Sequence, residues 1–365
     1  MMDRPLLVRV LQEPALGALL GPPQWDLLLR QARRARLLPR LALALDPQVA
    51  PAQVRPHLDS ARLLAERQRE AVVRELDHIR RALSPCPAPL VLLKGAAYLM
   101  AGLGTARGRM FSDIDILVPH AHLGAVETAL MVRGWAYGDI DAYDSRYYRR
   151  WMHELPPLTH TRRGSTLDVH HTILPPTARL QIDTSALFER LVPLPPPTAT
   201  PDLAPLFTLS PPDMVLHAAT HLFHEGEFDT GLRDLFDLDS LLREFGAGDA
   251  SFWPQLLARA ERIGLQRPLH HALRYTHELL GTPMPASALA ALAAMPGATP
   301  PMQRLLDACF RRALRPRHPS CEVPGTSAAL AALYLRSHWL RMPPLMLARH
   351  LGRKQLKRWF GHPAT

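Results

Sequence analysis

Residues 90–119 read LVLLKGAAYLMAGLGTARGRMFSDIDILVP, and the reading of this stretch decides the fold class. A short apolar run, 90–93, stops at Lys94-Gly95. A short helix follows, and Ser112 leads into a second run, Ile114 to Val118, which Pro119 closes. Brief apolar runs rich in branched residues and bounded by chain breakers are strands. Outward on the N-terminal side, 24–45 predicts short helices. Residues 59–84 carry Ala65, Val72, Leu76, Ile79 and Leu83 at helical spacing, which predicts one long amphipathic helix. On the C-terminal side, 121–133 predicts a helix. WAYGDI (135–140), HELPPLTH (153–160) and STLDVHHTI (165–173) predict strands, the last two joined as a hairpin across Arg162, Arg163 and Gly164.

Beyond this mixed region, 193–212 (PLPPPTATPDLAPLFTLSPP) is dense enough in proline to be read as a connection without regular structure. The C-terminal half past that connection is helical, beginning at Pro211 and Pro212, which suit a first helical turn. The expected organisation is an N-terminal helical region (1–85), an α/β core (86–192), the proline-rich connection (193–212), a helical domain (213–340) and a basic amphipathic tail (341–365).

The formal charge of +10 sits in one place. From 308 onward, eleven arginines and lysines face Glu322 alone, so the preceding residues are formally neutral. A surface basic throughout, as a nucleic-acid coat would need, is therefore not expected. In the tail, Arg349, Arg353, Lys354, Lys357 and Arg358 alternate with Leu345, Leu347, Leu351, Leu356, Trp359 and Phe360. Three readings stay open for it: docking of a last helix on the body, contact with an anionic membrane surface, or contact with nucleic acid. No apolar stretch reaches membrane-spanning length and no secretion signal is read at the N-terminus, so a cytoplasmic protein is expected, with the tail allowing peripheral contact at the inner membrane face. Cys86, Cys309 and Cys321 form no C-x-x-C pair and receive no role.

Three Asp-x-Asp pairs occur, at 113/115, 139/141 and 237/239. Only Asp113 and Asp115 enter a predicted strand, where residues two apart project from one face. Paired carboxylates repel unless a cation lies between them, and hard oxygens suit magnesium bound jointly with phosphates. In a helix, positions 237 and 239 diverge by about 200°. Upstream, Gly95 opens a helix at a Lys-Gly turn that either is only a turn or brings backbone N–H groups to a phosphate. His217, His221 and His224 share one face of a predicted helix. They suit zinc binding, helix packing or a hydrogen bond into a cleft, zinc being disfavoured because HExxH is absent. Arg233, Asp234 and Asp237 read as solvated helix charges or as groups orienting an acceptor.

The series LLKG, a short helix, Arg109-x-x-x-Asp113-Ile-Asp115-Ile-Leu-Val, then Leu167-Asp168-Val169-His170, then a helix bearing His221, resembles the polymerase-β-like nucleotidyltransferase superfamily. More narrowly, it is similar to a bacterial family of uncharacterised nucleotidyltransferases, over about residues 60–280. The resemblance implies a polymerase-β-like α/β (α+β) core with a mixed sheet, flanked by the N-terminal helices and an all-helical C-terminal domain. It implies an enzyme that moves a nucleoside monophosphate from an NTP to a hydroxyl or phosphate acceptor and releases pyrophosphate. By it, Asp113, Asp115 and Asp168 are catalytic and hold magnesium, or manganese in its place. Asp168 is the general-base candidate. Lys94, Gly95, Arg109, Ser112, His170 and His221 are substrate-binding candidates, with Arg109 either touching the triphosphate or pairing with Asp113. The chain departs from the superfamily at Lys94-Gly95-Ala96, where a serine hydroxyl is usual, and that departure supports the alternative of a catalytically weak nucleotide sensor or partner-binding protein. The acceptor is left open among small molecules, sugars and proteins; nucleic acid is not expected.

Overall fold

Seven strands form one mixed sheet in the order β3-β4-β5-β2-β1-β7-β6. They are β1 (Leu90–Leu92), β2 (Ile114–Leu117), β3 (Trp135–Tyr137), β4 (Leu158–His160), β5 (Thr166–His170), β6 (Val192–Leu194) and β7 (Leu206–Thr208). The computed structural model describes residues 4–139, 148–149, 151–197, 203–224, 226–295 and 299–343. The basic tail beyond 343 and the Asp139/Asp141 pair beyond its first member lie outside the described residues.

The two strands of the opening stretch pair antiparallel, and β2 runs parallel to β5 with Asp115 opposite Asp168. β4 and β5 form the expected hairpin. The proline-rich segment departs from its reading as an irregular connection. Pro193 lies within β6, and β7 pairs parallel with β1, so Val192–Leu194 and Leu206–Thr208 extend the sheet by two strands. The reason is local: Leu206 and Thr208 are buried beside Leu90 and Leu92, and β6 is an edge strand, where proline lacks no ladder bond that matters.

Helices cover the sheet: α1 (Leu6–Gln12), α2 (Pro22–Arg34), α3 (Leu38–Ala44), α4 (Arg55–Leu83), α5 (Lys94–Met100), α6 (Leu123–Val132), α7 (Ser185–Phe188), α8 (Pro211–His224), α9 (Gly231–Gly248), α10 (Phe252–Arg262), α11 (Gln266–Tyr275), α12 (Ala286–Ala294), α13 (Pro300–Ala313) and α14 (Thr326–Arg341). The predicted long helix is α4, begun a few residues early by Pro56 in its first turn. Its Glu75 takes a two-pronged bond from Arg163, at the turn of the β4–β5 hairpin, through contacts of 2.7 and 2.7 Å. Arg163 also lies over the Trp135 ring at 4.8 Å, so helix, hairpin and β3 are tied at one point.

α8 begins at Ser210-Pro-Pro-Asp213, where the Ser210 hydroxyl donates to Asp213. Asp213, fully buried, also receives Arg259 of α10 at 2.7 and 3.0 Å. α8 packs against α9, α10, α11 and α14. One apolar cluster runs without a break from Leu7 through the sheet to Leu333. Among the described residues, no helix is long and apolar enough to cross a membrane.

Candidate active site

Residues in register on neighbouring strands project to the same face, as do residues two apart on one strand. Asp113, Asp115, Asp168 and His170 therefore share one face of the sheet, near its middle. Asp115 is 4 % exposed. Its Oδ1 accepts from Lys94 Nζ at 2.8 Å and lies 3.0 Å from His170 Nε2. Burial alone would raise its pKa; Lys94 foremost, with His170, outweighs that and holds the carboxyl well below the usual range. Asp115 is thus ionised, with an ammonium as its counter-ion. Asp113 is half-buried and accepts from the exposed Ser112 hydroxyl at 2.9 Å. Asp168 is half-buried.

The Lys-Gly turn works differently from its sequence reading. Lys94 is the residue in the left-handed region, with φ 44°, an uncommon and costly conformation for a side-chain-bearing residue. That bend turns the chain from β1 into α5 while the Nζ reaches Asp115. Gly95 is helical, and its missing side chain serves packing: a Cβ there would stand 2.1 Å from Arg109 Nη1 and 3.0 Å from Phe111. The group that approaches Gly95 in this structure is a guanidinium.

Arg109 is buried and donates through Nε to Asp237 of α9 at 2.8 Å; its partner is this aspartate, not Asp113. Arg40 and Thr105 reach the other oxygen of Asp237 at 2.7 and 3.2 Å. Asp237 therefore joins the N-terminal helices, the core and the helical half, and is not the solvated charge that a helical Asp suggests. Asp239 turns elsewhere, to Thr282 and Arg243. Asp234 pairs with Arg233 beside it.

The three histidines of α8 divide. His217 is buried, and burial first, then Lys94 and His170, push its pKa down to about 3. Half-buried His221 is lowered in the same way by burial, Lys94 and His217. Both lie within electrostatic reach of the Lys94–Asp115 pair, and burial together with the Lys94 ammonium favours their neutral form. His224 instead lies toward Arg336 and Arg341, and burial brings it down to about 4. No zinc site forms from this trio among the described residues.

The set that does come together is His153, Glu154 and His170, whose donor atoms all lie within 4.8 Å of one another. The sequence alone reads 153–160 as one strand and gives His153 and Glu154 no role; in the structure only Leu158–His160 forms β4, while 153–155 meet β5 through the Glu154–His170 bridge and the backbone bonds of Leu155 N–H to Val169 O and His171 N–H to His153 O. Two cavities open beside Ser112. One, of about 340 Å³, has Asp113, Glu75 and Thr166 in its wall; the other, of about 500 Å³, has Arg33, Arg36 and Phe111.

Residues 21–281, which include Lys94, Arg109, Asp113, Asp115, Asp168 and the His153–Glu154–His170 set, match the model of a family described as an uncharacterised nucleotidyltransferase. The chain belongs to that uncharacterised nucleotidyltransferase family. Membership supports a general role in nucleotidyl transfer, and the mixed sheet clad in helices is an α/β fold that suits it. No curated protein and no solved structure matches the chain. Both strands of the opening stretch, the LDVH strand and the His221 helix fall within the match, which begins at residue 21 and so reaches further toward the N-terminus than the stretch from about 60 that carries the resemblance.

Proposed function

We propose that this nucleotidyltransferase moves a nucleoside monophosphate from an NTP to a hydroxyl or phosphate acceptor, using magnesium or manganese held by Asp113, Asp115 and Asp168. The carrying observation is Asp115: a buried, ionised carboxylate in register with Asp168, whose charge is balanced by a lysine that can be exchanged for another cation. Three carboxylates on one face are a hard-oxygen donor set of the kind magnesium prefers, so the residues fit the ion. When bound, magnesium neutralises charge on the triphosphate and stabilises the leaving pyrophosphate.

The chain's own residues then divide the work. Lys94, displaced from Asp115, meets the triphosphate with its ammonium. An Asp168 carboxylate oxygen takes the proton from the acceptor oxygen as that oxygen bonds to the α-phosphorus. The bond from the α-phosphorus to the bridging oxygen breaks, and the electron pair leaves with pyrophosphate. His217 and His221, neutral, offer hydrogen bonds to phosphate oxygens without adding charge. Arg109 and Gly95 support this arrangement from beneath; Ser112 orients Asp113. The cavities flanking Ser112 give room for nucleotide and acceptor, the latter a small molecule, a sugar or a protein side chain.

Pyrophosphate release from each NTP with magnesium, in the presence of a cell extract as acceptor source, tests the reading. Release abolished by Asp113→Asn and by Asp168→Asn supports it. One observation favours a second reading, a nucleotide sensor: Asp115 Oδ1 is already engaged by both Lys94 and His170, and Ala96 offers no hydroxyl. Magnesium-dependent NTP binding without any release of pyrophosphate would select the sensor.

A further inference from the structure

The geometry points to a second metal site, built by His153, Glu154 and His170, that takes a divalent transition ion of the zinc class and holds His170 in place against Asp115. His170 Nδ1 lies 3.4 Å from Glu154 Oε2, and His153 Nε2 lies 3.7 Å from the same oxygen. Both distances exceed the ordinary N–H···O range of about 2.7–3.2 Å. The first matches the edge of a tetrahedron, about 3.3–3.5 Å, around an ion with bonds of about 2.0–2.1 Å; the second is a little longer, so the three donor atoms, all within 4.8 Å of one another, draw in slightly on the ion.

Two further observations point to a ligand there. His170 is 2 % exposed, and its Nδ1 is buried with no hydrogen-bond partner among the described residues. A neutral imidazole buried with an idle nitrogen loses the hydrogen bond that water would give it, and an ion at that nitrogen restores the loss. The opposite nitrogen, Nε2, is 3.0 Å from Asp115 Oδ1. A carboxylate behind a ligating histidine is the usual outer support of such ions: it fixes the tautomer and raises the basicity of the ring.

The frame is rigid. Glu154 and His170 form an antiparallel bridge, Leu155 N–H donates to Val169 O at 2.9 Å, and His171 N–H donates to His153 O at 2.9 Å. Two imidazoles and one carboxylate are a donor set suited to zinc, cobalt or manganese rather than to magnesium. Glu154, with 17 % of its side chain exposed, marks the side where a fourth ligand enters. An ion on Nδ1 obliges His170 to carry its proton on Nε2 and donate it to Asp115. The histidine is thereby a positioning residue for the aspartate, and its ligand set is separate from Asp113 and Asp168.

The test is titration of the metal-free full chain with cobalt(II), read by visible absorption, beside zinc binding by calorimetry. One equivalent, with the intense bands of a four-coordinate imidazole site, is expected in the wild type. Glu154→Gln and His153→Asn should weaken binding by more than the about 10–100-fold that an outer partner contributes, and Asp115→Asn by about that factor. Asp113→Asn should leave it unchanged. The wild-type spectrum stands even if a variant fails to fold. No binding at micromolar cobalt, or binding that survives Glu154→Gln but is lost with Asp113→Asn, overturns the site and in the latter case moves the ion to the aspartates.

Discussion

A side-chain carbon on residue 95 would stand 2.1 Å from the Arg109 guanidinium, so the glycine of the Lys-Gly turn and the later arginine occupy a single packing site. Gly95→Ala is therefore expected to displace Arg109 from Asp237 and to lower stability by about 1–3 kcal/mol, the usual cost of overfilling a packed interior. Urea unfolding measures it. Because α5 carries Lys94 at its start, the same variant should also weaken NTP binding.

Asp237→Asn removes the counter-charge of two arginines at once. Arg109 is buried, and a buried ion pair broken on one side costs about 3–5 kcal/mol. Asp234→Asn, on the same helix, disturbs the neighbouring Arg233 and the Thr230 hydroxyl at the start of α9 and should cost far less. Equal effects of the two substitutions in denaturant titrations would contradict the assignment of Asp237 as a structural tie.

That tie also has a pH signature. Burial would raise the Asp237 pKa, but Arg109, then Arg40 and Arg233, hold it below its ordinary value. A carboxyl depressed in the folded state stabilises above its unfolded pKa, about 3.9, and that contribution is lost as pH falls through the folded value. The stability gap between wild type and Asp237→Asn should be flat from neutral pH to about 5 and should narrow only below about 4. Gap closure near neutrality would rule this out.

His224 acts in a different window. Its pKa is brought down to about 4 by burial and by Arg336 and Arg341, against an unfolded value of about 6.5. Between these values the unfolded chain binds the extra proton, so stability is present above about 6.5 and falls on acidification at up to about 1.4 kcal/mol per pH unit for this group. His224→Gln should flatten that slope in thermal melts from pH 7 to 4.

Lys94→Met separates two roles. The ammonium competes with any divalent ion for Asp115 Oδ1, so its removal should tighten magnesium binding. The same removal should weaken binding of the triphosphate that the ammonium is proposed to meet, by a loss of about 1.5–3 kcal/mol, the worth of a hydrogen bond to a charged group. Calorimetry with magnesium alone and with magnesium plus NTP reads both signs; movement of the two affinities in the same direction would refute the exchange.

Much of the molecule is legible in its residues. Asp113 and Asp115 stand out because a strand makes neighbours of positions two apart, and Ile114 to Val118 could hardly be anything else. Asp168 needs the resemblance, since nothing within TLDVH says which strand it pairs with. The strands at 192–194 and 206–208 are hidden by the prolines around them, of which Pro193 sits within an edge strand that tolerates it. Asp237 and Arg109 look like ordinary charges because sequence patterns report one element at a time, and a bond between two elements 128 residues apart leaves no period to detect. Lys94 is hidden for the opposite reason: beside a glycine, the lysine is the last residue expected to carry the left-handed bend.

The bond from Asp237 to Arg40 closes a loop of 197 residues, and its bond to Arg109 a loop of 128. A chain made from its N-terminus exposes both arginines long before the acid that satisfies them leaves the ribosome. The packing that buries Arg109 against Asp237 can therefore be completed only when α9 has been made. A chain stopped between residues 110 and 237 holds both arginines without the carboxylate that joins them, so C-terminal truncations should gain cooperative unfolding only once α9 is included.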